Sequence, residues 1–129
     1  MKNTAALVLW LSLASGTLVA QDAAVRSLLS KEVAGMPGKE LSMITVEYPP
    51  GGSDQAHKHH AQVLVYVLEG SIVMQVRGEA PVTLVMGQTF YEGPDDVHVV
   101  SRNASQTAPA KFLVFFVKDK GAPILIPAK

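Results

Sequence analysis

The sequence predicts an all-β domain, a sandwich or a barrel, and three observations carry that expectation. From Leu41 onward the chain falls into short runs rich in β-branched and aliphatic residues: LSMITVEY, VLVYVL, SIVMQV, VTLVM, TFY, VHVVS and KFLVFFV. Gly, Pro, Asp, Asn or charge separates each run from the next, and no helical periodicity competes with them. Strands this short and regularly spaced favour closure, which removes exposed edges.

At 129 residues, 48% hydrophobic and 17% charged, the chain suits one domain with its own core. The first segment, MKNTAALVLWLSLASGTLVA, stands apart from it. Lys2 supplies a short positive start, Ala5 to Leu13 an apolar stretch, and Ser15-Gly16 a break before Ala20. That is the pattern of a secretory leader, residues 1–20, with Leu18 larger than usual at the third position before the cut. An uncleaved anchor would need a longer uninterrupted apolar run. The expected location is therefore periplasmic or secreted, with no membrane attachment after cleavage.

Residues 21–40 form a mixed lead-in that Gly35, Pro37 and Gly38 keep from being a long helix, leaving a short helical turn or an edge strand. The domain proper is expected over residues 41–117. Within it Glu69-Gly70 reads as the two-residue loop of a tight hairpin. In the tail, residues 118–129, Pro123 and Pro127 bracket a short apolar run that packs on the domain or on a second subunit, the expected assembly being a homodimer.

The formal charge is zero and no basic cluster appears, so nucleic acid is a poor partner and a small ligand a better one. The chain has no Cys, which excludes disulfides, thiolate nucleophiles and thiolate ligands.

The chemistry is concentrated in histidine. His57, His59 and His60 stand together after a Gly-rich turn, and the fourth, His98, lies in the apolar run VHVVS. Strand alternation puts His57 and His59 on one face, so with His98 they could surround one divalent cation. A solvated loop beside a structural histidine is the plainer reading of the same spacing.

At this point PPGGSDQAHKHHAQVLVYVLEG, followed by GQTFYEGPDDVHVVSRN, resembles the two motifs of the cupin superfamily. Gly51, His57, His59 and Gly70 match the first, and Gly87 and His98 the second. The second pattern departs at its Pro-x-Gly, here Gly93, Pro94 and Asp95, and at its Asn, where Arg102 stands with Asn103 next along. The resemblance implies a small cupin-type β-barrel or double-stranded jelly roll holding His57, His59 and His98 around iron, zinc, nickel or copper.

One departure bears on that site. The family's first motif carries a glutamate ligand, and its register falls here on Val63, next to Gln62. Its loss implies a more positive centre. Gln62 could supply an oxygen only if a bulge turned it inward.

Alternation also directs Val63, Val65 and Val67 into the barrel. If no bulge intervenes, Arg102 shares a face with His98 and could hold an anionic substrate, a solvated strand-end charge being the plainer reading of the same residue. Val63 and Tyr91 are further candidates for the substrate wall, with Gln75 and Tyr48 behind them. The acids near the motifs, Asp54, Glu69, Glu92, Asp95 and Asp96, read as turn or surface residues. The expected function is a metal-dependent oxygenase or isomerase of a small organic substrate; the alternative is a non-catalytic module that binds a sugar acid or phenolic ligand.

Overall fold

A computed structural model describes residues 22–129, and the expected leader, residues 1–20, lies outside the described residues. The described chain is built of strands: β1 (Ala24–Glu32), β2 (Lys39–Tyr48), β3 (Ser53–Asp54), β4 (His57–Lys58), β5 (Ala61–Glu69), β6 (Ser71–Val76), β7 (Val82–Val85), β8 (Thr89–Glu92), β9 (Val97–Asn103), β10 (Ala110–Asp119) and β11 (Ile126–Pro127). One sheet has the order β1-β2-β10-β5-β8, and the other β11-β4-β9-β6-β7 with β3 also paired to β9. Every pairing is antiparallel. The two sheets face each other as a jelly roll.

Alternation builds the core. On β5 Ala61, Val63, Val65 and Val67 are buried while Gln62, Leu64 and Tyr66 are exposed, and on β10 Phe112, Val114 and Phe116 turn inward the same way. They pack with Ile44, Val46, Ile72 and Met74 from the neighbouring strands. Full burial of one such side chain stabilises by about 1.5–3 kcal/mol, so a one-residue slip of either long strand would forfeit several of these at once.

Three local readings are refined. The lead-in is the edge-strand option: Ala24–Glu32 pairs along β2, with a register shift between Ser27 and Leu29, and all nine of its residues are exposed. The tail lies on its own barrel, Pro127 opposite His57 and Ala128 N–H donating to the Ala56 carbonyl at 3.0 Å. The inward ammonium of Lys118 fixes the tail's start, donating to Glu40 and to the Ala122 carbonyl at 2.7 Å.

The third is a correction: Glu69-Gly70 is not a hairpin. β5 pairs with β10 and β8, whereas β6 pairs with β9 and β7, so the chain changes sheets at this bend. Both structures need a sharp turn at glycine, and only the pairing of the flanking strands separates them.

Candidate metal centre

Strand pairing brings the histidines together. β4 lies beside β9 with His57 directly opposite His98. Directly opposed residues of an antiparallel pair share a face, about 4.5–5.5 Å apart at Cβ. His59 follows two residues on from His57 and points the same way. One ligand nitrogen from each of His57, His59 and His98 lies within 4.8 Å of the others, and all three side chains are buried.

Neighbouring carbonyls orient two of the rings. His57 Nδ1 is 2.7 Å from the Gln55 carbonyl, and His59 Nδ1 bonds the Ile124 carbonyl of the tail. With Nδ1–H donating to each carbonyl, the Nε2 lone pairs are left for the centre. Burial, the largest influence, holds His59 below the usual imidazole range against the opposing pull of the Ile124 carbonyl and Glu92.

Sequence reasoning placed Asp54 and Glu92 alike among turn or surface acids, and both assignments are corrected here: Asp54 lines the cavity described below, and Glu92 faces the histidines. It ends β8, faces inward and is 2% exposed. Its Oε1 lies 3.1 Å from His98 Nδ1 and its Oε2 3.8 Å from His59 Nε2. Burial raises its carboxyl, but the three imidazoles, His98 foremost, outweigh that and leave it below the ordinary carboxylate range. The available signal was alternation in TFYE, which puts Phe90 and Glu92 on one face.

The other candidates lie elsewhere. The β5 register runs unbroken past Gln62, so that side chain stays on the outer face, where it accepts a hydrogen bond from Tyr91; neither residue reaches the histidines. Val63 is fully buried in the core and is not among the residues lining the cavity. Gln75 is bonded to the Glu79 carbonyl in a turn.

Arg102 is exposed because β9 carries an extra residue at Val99, where the register on β6 skips between Gln75–Val100 and Val76–His98. That bulge moves Ser101, rather than Val100 or Arg102, to the face of His98. It also explains the displaced motif asparagine. Asn103 is buried and binds the chain crossings, donating to the Pro49 and Ala108 carbonyls at 3.0 and 2.8 Å and accepting from Ser105 N–H at 2.8 Å.

The histidines and Glu92 form the polar end of a cavity of about 250 Å³. Its walls are chiefly apolar, with Ile44, Val46, Val65, Met74, Phe112 and Phe116 prominent. A second polar edge is made by Asp54 and Ser101, both bonded to the buried Tyr48 hydroxyl, at 2.5 and 2.6 Å. Burial, then the Asp54 charge, raises the Tyr48 phenol well above its usual range, so it stays a donor. No Lys or Arg lines the cavity among the described residues.

The donor set fits a transition metal ion. Three converging imidazoles suit iron, zinc, nickel or copper. Both ring nitrogens of His98 and Oε2 of Glu92 are buried without a hydrogen-bond partner. Such groups are costly to bury unless something binds them, and a cation would satisfy one ring nitrogen of His98 together with the carboxylate oxygen.

Residues 44–116 match the family described as the cupin domain. The chain therefore belongs to the cupin family. Among solved structures it is similar to the DMSP lyase DddQ of Ruegeria pomeroyi, at 20% identity and a TM-score of 0.66, over 82% of this chain and 51% of that one. It is similar to an oxalate oxidase in complex with the substrate analogue glycolate, at 24% identity and a TM-score of 0.62, over 81% of this chain and 54% of that one. It also resembles a Klebsiella pneumoniae protein with a double-stranded beta-helix domain, at 19% identity and a TM-score of 0.65, over 84% and 85% of the two chains. The chain thus spans about half the length of the lyase and the oxidase. No curated protein matches it.

Proposed function

We propose that this chain is an exported cupin that binds one divalent transition metal through His57, His59 and His98 and turns over a small organic substrate as an oxygenase or isomerase. The observation that carries the reading is the convergence of three buried imidazoles beside a buried carboxylate at the end of an apolar cavity. The bound metal would supply Lewis-acid or redox chemistry at a coordinated oxygen.

The protein's own groups select and orient the substrate. The apolar walls take a hydrocarbon body, and the histidine end takes one oxygen-bearing group. With Asp54 and Glu92 in the lining and no Lys or Arg there among the described residues, the protein's own side chains favour a neutral or cationic body, and any anionic group of the substrate would have the metal as its partner. Asp54, hydrogen-bonded by Tyr48, is placed to accept a substrate proton.

The test is elemental analysis of the purified chain lacking residues 1–20, followed by a substrate screen with and without metal. Near-stoichiometric metal and a reaction lost on chelation are expected. A chain that refuses iron, zinc, nickel and copper would overturn the metal reading. Ligand retention without metal would make the protein a binding module.

We propose further that two copies pair through the outer face of the five-stranded sheet. Register aligns Leu29, Met43, Phe115, Leu64 and Tyr91 in one row across that sheet, and Leu113 opposite Tyr66 in the next. Leu64, Tyr66 and Tyr91 are about half exposed, at 51%, 45% and 55%. A continuous apolar face of this kind marks an interaction surface. Light scattering is expected to give a doubled mass, and Leu64→Glu/Tyr91→Glu a monomer whose urea midpoint falls no lower than dissociation alone requires. A monomeric parent would sink the pairing.

A further inference from the structure

The carboxylate absent from the first motif has a counterpart on the next strand. Val63 occupies the position where the family's glutamate would stand, and its direct partner across the β5–β8 ladder is Glu92. Opposed residues of an antiparallel pair share a face and a level of the sheet. The two positions are therefore alternative anchors for one carboxylate, reached from adjacent strands.

The surroundings of Glu92 call for a cation. The side chain is almost wholly buried, and its ion-pair partners among the described residues are His59 and His98, with no Lys or Arg. Its Oε2 has no hydrogen-bond partner. Oε1 approaches His98 Nδ1 to 3.1 Å, yet that nitrogen also has no partner of hydrogen-bonding geometry. Two donor atoms this close but poorly aligned for a hydrogen bond are spaced like neighbours around one ion, whose ligand bonds run to about 2.0–2.2 Å.

We propose that Glu92 is a ligand of the metal, taking from β8 the place that Val63 vacates on β5. This rests on the metal reading above and adds to it a fourth protein donor and a negative charge. The centre is then not the carboxylate-free site that the first motif implies. Both the attraction for a divalent ion and the number of open positions for substrate change accordingly.

A supporting role, in which Glu92 only holds the His98 ring, is the rival, and Glu92→Gln separates the two. The amide keeps the size and an oxygen acceptor but loses the charge. The experiment loads wild type and Glu92→Gln with Co(II) and reads affinity by chelator competition and coordination by visible absorption. Thermal melting of both metal-free proteins accompanies it.

A ligand role predicts altered cobalt bands in Glu92→Gln, with an affinity loss beyond the roughly 10–100-fold that a supporting contact costs. The metal-free melts check that both proteins fold, since the imidazoles that offset the carboxylate's burial make some loss of stability compatible with either role. A clamp for His98 predicts unchanged cobalt bands. Unchanged affinity and bands in Glu92→Gln, with wild type binding cobalt, would overturn the proposal while leaving the histidine centre intact. A wild type that binds no cobalt would overturn both. Should Glu92→Gln fail to fold, Glu92→Ala in the same assay decides, normal bands in it counting against the proposal.

Discussion

Replacing His98 by alanine is expected to lower metal affinity by more than about 100-fold, beyond what loss of a merely supporting contact costs. His98 is directly opposite His57 and in contact distance of Glu92, so its removal takes away a donor and separates the others. The metal-free variant should still fold. Neither ring nitrogen of His98 has a hydrogen-bond partner to lose, and the packing lost is its contact with His57, at 5.0 Å between ring centres, and its stacking on Phe90, at 5.9 Å. In wild type, metal at 100 times its dissociation constant adds about 2.7 kcal/mol to stability, and His98→Ala should show almost none of that increment. Calorimetric melting with and without zinc reads it directly.

The pH dependence of that increment has a definite sign. Metal needs neutral imidazole, and burial holds His59 below the usual imidazole range. A depressed folded pKa gives stability that is present above the unfolded value, near 6.5, and lost as pH falls through the folded one. The zinc-dependent rise in melting temperature should be flat above about pH 7 and shrink on acidification. A rise that grew toward acid would contradict neutral histidine ligation.

What the sequence made legible follows from what is local. Alternation in VLVYVL assigned Val63, Val65 and Val67 inward and Leu64 and Tyr66 outward, because a period of two needs no knowledge of the partner strand. His57 and His59 shared a face for the same reason. Arg102 keeps to the solvent face, the plainer of its two readings, because a single extra residue at Val99 inverts the phase after it, and nothing in VHVVSRN announces a bulge.

Glu92 shows the other limit. Its inward direction could be read from TFYE, but its role depends on lying opposite Val63, and register between β5 and β8 is a property of the folded barrel. The motif placed a carboxylate on one strand. The barrel brings one from the next.

Gly70 carries the second large effect. At this residue the chain leaves β5 in one sheet and enters β6 in the other, with φ at +68°. A β-carbon there would stand 2.5 Å from the Pro109 carbonyl oxygen and 3.1 Å from Ala110 Cα. Those are backbone atoms at the entry to β10, which is held between β2 and β5, so they cannot yield cheaply. The left-handed conformation alone costs an L-residue about 1–2 kcal/mol, and the overlap adds strain of about 1–3 kcal/mol typical of overpacking. Gly70→Ala is therefore expected to lose about 3 kcal/mol in urea unfolding, with an unchanged slope. Gly78 provides the control, since its φ is +87° but nothing lies within 4 Å of its would-be β-carbon. Gly78→Ala should lose only the conformational part, about 1–2 kcal/mol. Equal losses at the two sites would mean that the crossing relaxes around the methyl group, and that the close approach of β10 does not fix the bend.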